Sequence, residues 1–413
     1  MTRVHDVVIL GATGFTGKLA AQYMARAYPP SSATPVRWAI AGRSADKLRD
    51  VLGTLGTAVD IVVCDLSDND ALERLVKSTS VVACYAGTPF IDKALPVVEL
   101  CARHGTHYVD ITGELPMHRA SYDRYHDACK ASGALVLHGC GFDSVPSDIG
   151  AFLAAGAMRE RHDCGCSLIK MYYGKSSGGF SGGTLATIIA LINADASMPG
   201  GKEVKQRGAY ALDPVDGHGG PDTGSFGSPI VGYDRVGKTW VAPFVMAPTN
   251  APVVRKSNAQ LDYAYGRNMR YAEVMALPSL FAAVAVAVGL AAVGFAIVVP
   301  PIRALLFYAR LLPRPGEGPS KQQQDEGFFA STAVAVGERG KEQLVTKAHV
   351  NSGNAGDPGY KATALMSMEC ALCLALQRDK CRAEGGVVTT AVGLGSVLVD
   401  RLNAAGMDVG VDK

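Results

Sequence analysis

Charge of either sign is scarce in this chain of 413 residues. Charged side chains make up 19% of it, and 40 Lys and Arg against 38 Asp and Glu leave a formal net charge of +2. The two signs are interspersed, so no basic face is expected and nucleic acid is excluded as a partner. The ten cysteines follow no framework spacing. Cys64, Cys84, Cys101 and Cys129 fall in apolar runs, and a chain of this length needs no disulfide staples. Cys370-x-x-Cys373, with Cys381 beyond, lacks a fourth ligand and lies in an apolar helical run from Met368 to Leu376. No metal is expected there. Also absent is His-Glu-x-x-His, the zinc-hydrolase helix. The first strand begins at Asp6, which leaves no room for a signal sequence and favours an intracellular protein. Hydrophobic residues, at 48%, are plentiful, and the length suggests two domains.

What is present begins with Val7-Val-Ile-Leu10, a buried-strand pattern, followed at once by Gly11-Ala-Thr13-Gly14-Phe15-Thr16-Gly17 and a helical run from Lys18. Strand, glycine turn and helix form the setting in which backbone N–H groups cradle a pyrophosphate. The spacing is G-x-x-G-x-x-G, not the commoner G-x-G-x-x-G. A second strand, Arg37–Ala41, ends in Gly42-Arg43-Ser44. An acidic residue there would hold the ribose hydroxyls of NAD; instead Arg43 and Ser44, with Lys47, offer a cation and a hydroxyl to a 2′-phosphate. NADP is therefore the expected cofactor, with NAD possible.

Ile61–Cys64, Val81–Cys84, His107–Asp110 and Ala134–His138 continue the alternation of strand and helix. This predicts an α/β fold with a doubly wound parallel sheet over residues 1–155. Asp65 is placed to meet the adenine or cap the next helix, and Ala86-Gly87-Thr88-Pro89 to flank the nicotinamide ribose. Ligands bind beyond the carboxyl ends of such strands. Two polar loops lie at that edge, Asp110-Ile-Thr-Gly-Glu114 and Gly141-Phe-Asp143-Ser144-Val-Pro-Ser147-Asp148. Glu114, Asp143 and Ser144 are the catalytic candidates, while Ser147 and Asp148 could equally cap a helix from Ile149. The Tyr-x-x-x-Lys pair of short-chain dehydrogenases is absent, which excludes that route of proton transfer.

Taken together, these segments resemble the saccharopine dehydrogenase-like oxidoreductase family, which includes the trans-acting enoyl reductases of lipid biosynthesis. The resemblance rests on Gly11–Gly17, Ala41–Ser44, Tyr108–Glu114, Gly141–Asp148, Ser177–Thr184 and Gly356–Thr363. It covers nearly the whole chain. It implies NAD(P)-dependent reduction and a second α+β domain that carries the substrate face, with a homodimer possible. It does not imply saccharopine as substrate.

Residues 156–360 read as that second domain, and the terminal helices of 361–413 as packing back on the first. Ser167–Tyr173 is a strand, Leu185–Ala194 helical, and 199–238 loops with short strands. Phe328–Val336 and Gln343–Val350 form an antiparallel pair. Within this domain Leu280–Val299 is uncharged and almost wholly apolar, long enough to span a bilayer core. Pro300-Pro301 ends it, and Arg303, Arg310, Arg314 and Lys321 follow. Because strands of the same domain lie on both sides, a single crossing is implausible. A hairpin over 277–325 dipping into one leaflet of a membrane, or a lipid-droplet surface, is expected. The sequence thus suggests a peripheral NADP-preferring reductase of a lipidic enoyl or carbonyl substrate. Two alternatives are open: a soluble dehydrogenase of an amino-acid substrate, using Lys170, Lys175 or Arg207, and a cofactor-binding scaffold without turnover.

Overall fold

β-branched and aliphatic residues without alternation give strands buried on both faces, and six of them build the first sheet. These are β1 (His5–Leu10), β2 (Trp38–Gly42), β3 (Asp60–Val63), β4 (Thr79–Cys84), β5 (His107–Asp110) and β6 (Leu135–Leu137). The computed structural model describes residues 3–29, 35–87, 89–177, 198–214, 231–308 and 319–413. All pairings in this sheet are parallel, in the order β3-β2-β1-β4-β5-β6. Helices cover both faces, one core gathering Val7, Ile9, Val81 and Val109, the other Val8, Leu10, Val82 and Tyr108. The doubly wound sheet read from the sequence is the one observed.

The second domain is a mixed sheet built from β7 (Cys166–Ser177), β8 (Gly232–Asp234), β9 (Thr239–Pro243), β10 (Arg270–Leu277), β11 (Phe328–Arg339) and β12 (Glu342–Asn351). β7 sits at its centre, parallel to β10 and antiparallel to β11. The hairpin of β11 and β12 turns at Gly340, which takes the left-handed conformation at φ +64. Residues 199–238, expected as loops with short strands, also contain a helix, Gly201–Arg207. The helix expected at Leu185–Ala194 lies outside the described residues.

The chain end does more than pack as helices. β13 (Gly386–Val388) adds a seventh parallel strand beside β6, and β14 (Asp408–Val411) pairs with β12 at the edge of the second sheet. A strand of three residues, one of them glycine, carries too little periodicity to be read from the sequence. Ahead of both in the chain, helix Lys361–Leu376 lies in the core against β4 and helix Phe15–Ala27. Cys370 and Cys373 are free and fully buried in it, and no metal-binding cluster occurs among the described residues.

Helix Val145–His162 starts four residues before Ile149 and runs past residue 155 to pack on β11 and β12. Ser147 and Asp148 are therefore in its first turn, not caps before it. The Asp148 carboxylate accepts from Ser257 Oγ, from Thr390 Oγ1 at 2.8 Å and from Ala391 N at 2.8 Å. It joins three segments far apart in sequence. A second such tie holds the chain end to the start. Glu369, 1% exposed, accepts from the Tyr23 hydroxyl, from Tyr28 at 3.0 Å and from Arg401 Nε at 2.7 Å. Replacing Arg401 by Met leaves a buried carboxylate without its cation, a loss of about 3 kcal/mol. Urea unfolding should show that drop in midpoint with the slope unchanged.

Candidate active site

The turn after β1 is shaped by two close approaches. Gly11 has φ +89, and a Cβ there would lie 2.6 Å from the Tyr85 carbonyl carbon. A Cβ on Gly17 would lie 2.3 Å from Gly11 O, so only glycine lets the helix start this near the strand. Gly14 caps helix Phe15–Ala27 with no side-chain hydrogen bond, which leaves the first-turn N–H groups open to an anion. A cavity of about 480 Å³ lies in front of them. Gly11, Thr13, Gly14, Arg43, Asp65, Ala86 and Gly87 line it.

Seven of the residues expected to hold the cofactor thus meet at one cavity. Phe15, Thr16, Gly17, Ser44, Lys47 and Pro89 do not line it, and Thr88 lies outside the described residues. Each of several has another task. Phe15 packs edge-on against Tyr360 at 4.5 Å. Ser44 caps helix Ala45–Leu55 by accepting from Lys47 N at 3.4 Å. Pro89 precedes the short helix Phe90–Lys93. Asp65 accepts from Ser67 N and Oγ at 3.0 and 2.8 Å, bonds that hold its carboxyl below the usual range. The next helix is capped by Asp68 instead, through Ala71 N at 3.0 Å.

Sequence reasoning missed Ser67, Tyr85 and Lys93 at the same cavity. Lys93 lies over Gly87, where a Cβ would come within 2.9 Å of Nζ. Its only sequence signal is its place just after the β4 turn. Among the described residues neither Arg43 nor Lys93 makes a hydrogen bond or ion pair. A bare helix start, two unpaired cations and no carboxylate at the end of β2 fit a dinucleotide with an extra phosphate.

The three catalytic candidates lie in very different surroundings. Glu114 accepts from Phe90 N at 2.9 Å and Ile91 N at 3.1 Å, so it caps the short helix beside the cofactor cavity. Ser144 is 1% exposed, and its Oγ has no partner. Among the described residues the Asp143 carboxyl makes no hydrogen bond, and burial pushes it up to about 6. Next to these loops Asp110 anchors the ends of β5 and β6. It accepts from Tyr108 at 3.0 Å, Thr112 N at 3.1 Å and Gly139 N at 3.2 Å, and lies 2.7 Å from His138 Nδ1.

Beyond Asp143 the carboxyl edge of the first sheet meets the second domain through aromatic rings. Phe142 stands edge-on to Tyr173 at 5.8 Å and to Phe329 at 4.8 Å, and Phe244 stacks on Tyr173 at 3.8 Å. Of the cations considered for an acidic substrate, Lys170 is buried in an ion pair with Asp234, and Arg207 donates to Asp213 O. Lys175 is exposed at the end of β7. The motif from Ser177 to Thr184 lies, apart from Ser177, outside the described residues.

Residues 7–137 match the saccharopine dehydrogenase NADP binding domain. A Mycobacterium tuberculosis protein provisionally named a trans-acting enoyl reductase is 37% identical over 98% of this chain and 97% of its own. The trans-acting enoyl reductase of Mycobacterium leprae is 34% identical over 100% of this chain and 98% of its own. Saccharopine dehydrogenase (L-Glu forming) from Saccharomyces cerevisiae superimposes over 99% of both chains with a TM-score of 0.54 at 11% identity, a likeness of fold. The protein is an NADP-binding oxidoreductase with the two-domain saccharopine dehydrogenase fold. It belongs to the saccharopine dehydrogenase-like family, alongside the trans-acting enoyl reductases.

When bound, the nicotinamide supplies or takes a hydride; the chain's part is to hold it at the carboxyl edge. The open N–H groups after Gly14 would take the pyrophosphate, and Arg43 the 2′-phosphate. Arg43→Asp should weaken NADPH binding at least tenfold and bring it close to NADH, read by nicotinamide fluorescence. Equal loss of both cofactors would remove Arg43 from the phosphate site.

Proposed function

We propose that this oxidoreductase uses NADPH to reduce the carbon–carbon double bond of an α,β-unsaturated acyl thioester on a lipidic chain. The observation that carries this reading is the aromatic seam at the carboxyl edge. Phe142, Tyr173, Phe244 and Phe329 suit an acyl chain, whereas Lys170 and Arg207 are already engaged by protein partners. An amino-acid substrate would need cations free to meet its carboxylates. The full-length similarity to proteins named trans-acting enoyl reductase supports the same choice. Purified protein given NADPH and dodecenoyl-CoA should form the saturated thioester, with one deuterium at the β-carbon from deuterated NADPH. Turnover of α-keto acids with amines, and none of enoyl thioesters, would favour the amino-acid reading instead.

The site is also proposed to work at a lipid surface. Helix Leu280–Val298 has a mean hydropathy of 2.6, and only Ala283 and Ile297 in it are buried. Phe281 is 84%, Val288 63% and Phe295 64% exposed, and no polar residue interrupts any face. Water is a poor solvent for such a helix, and a partner helix would cover only one side of it. At about 28 Å it matches a bilayer core in length. Yet β10 before it and β11 after it both pair with β7. This favours a hairpin in one leaflet or a lipid-droplet monolayer, with Arg303 at the boundary. The protein should float with phosphatidylcholine–phosphatidylglycerol vesicles, and the double variant Phe281→Asp, Val288→Asp should stay in the aqueous layer while still binding NADPH. A soluble dimer that leaves vesicles untouched would make this helix a protein interface.

A further inference from the structure

The cofactor cavity carries a cation on each flank of the turn after β1. In the first sheet β1 lies between β2 and β4. Paired strands run about 4.8 Å apart, which puts the carboxyl ends of β2 and β4 about 10 Å from one another. Arg43 directly follows β2, and Lys93 stands over the turn that follows β4. The two turns on the Lys93 side touch: a Cβ on Gly11 would lie 2.7 Å from Ala86 N. The lysine stem rests on Gly87, where a Cβ would come 2.8 Å from its Cδ. Gly87 takes φ +79 and donates to Tyr85 O at 3.0 Å, so glycine both makes this turn and leaves room for the lysine. Lys93 lines the same cavity as Gly11 and Gly14. Asp92 also lines it, and among the described residues no ion pair joins the two.

The placement of Lys93 is built from the end of β5. Lys93 is the last residue of helix Phe90–Lys93, which at four residues is too short to hold by its own bonds. Pro89 before it supplies no side-chain cap. The cap comes from Glu114, 5% exposed, which accepts from Phe90 N at 2.9 Å and Ile91 N at 3.1 Å. Glu114 N in turn donates to Thr112 Oγ1 at 3.1 Å, and Thr112 N to Asp110 Oδ1 at 3.1 Å. The polar loop Asp110–Glu114 is thus a chain of hydrogen bonds that ends on the helix carrying Lys93.

We propose that Lys93 is the cation that binds the cofactor's pyrophosphate, and that Glu114 is a positioning residue that holds it there. The two kinds of phosphate then have separate cations on opposite flanks of the open helix start, Arg43 for the 2′-phosphate and Lys93 for the pyrophosphate. NADPH and NADH share the pyrophosphate, so Lys93 serves both, whereas Arg43 discriminates between them. Both roles concern the cofactor alone and hold whatever the substrate.

Full-length Lys93→Met, titrated by nicotinamide fluorescence, should lose about tenfold in affinity for NADPH and the same for NADH, the worth of one hydrogen bond to a charged group. Calorimetry with fragments places the loss. ADP, which has the pyrophosphate and no nicotinamide ribose, should weaken by the same factor, while 2′-AMP, which has no pyrophosphate, should bind unchanged. An untouched ADP affinity alongside weaker NADH would put Lys93 at the nicotinamide ribose and overturn the phosphate assignment. A loss confined to NADPH and 2′-AMP would overturn it too, making Lys93 a second 2′-phosphate ligand. So would wild-type affinities in Lys93→Met, or a wild-type protein that binds neither nucleotide. Glu114→Gln should weaken NADPH and NADH at least twofold in the wild-type background and no further in Lys93→Met, because it acts through the lysine. Equal losses in both backgrounds, or a lower melting temperature with cofactor affinity unchanged, would leave Glu114 a structural cap only.

Discussion

The return of the C-terminal segment is the constraint on which the rest of this structure depends. Helix Lys361–Leu376 fills one face of the first sheet, β13 extends that sheet, and β14 closes the edge of the other. Glu369 joins this segment to Tyr23, Tyr28 and Arg401, and Asp148 ties it to both domains through Thr390 and Ala391. Carboxylates buried with several donors are favourable only in one geometry, so they select one relative placement of the domains. The aromatic seam exists because of that placement.

From the seam follows a division of chemical labour. The first sheet offers what any dinucleotide site needs: glycines that admit a close backbone, an open helix start and cations at the right edge. Glu114, a catalytic candidate from the sequence, holds the short helix that follows the loop beside that site. The second domain contributes most of the aromatic rings packed at that edge. Its apolar helix Leu280–Val298 follows β10 in the chain, and on the proposed reading it would keep the site near the source of an acyl substrate.

How far this could be read from the chain varies with the range of the interaction. The turn at Gly11–Gly17, the absent carboxylate after β2, and the parallel strands up to β6 are local patterns, legible because each is set by neighbours within a few residues. Local logic also misled. Ser44, read as a phosphate ligand, also accepts from Lys47 N, since a hydroxyl before a helix is first used by that helix. Ser147 and Asp148 looked like caps but face inward, because the helix begins earlier and its first turn is the domain contact.

The sequence by itself determined the fold class, the cofactor and the apolar helix, because glycine turns, strand runs and hydrophobic length act within a short stretch of chain. Only the tertiary structure decided which polar groups are spent on structure and which remain for chemistry. Glu273 is a lone acid in the apolar run Tyr271–Met275, a signal that something unusual is buried there. That it meets Asn250 could not be known until β10 was paired and helix Ala247–Gln260 packed over it. Burial and partnership set proton affinity, and both are properties of the assembled fold.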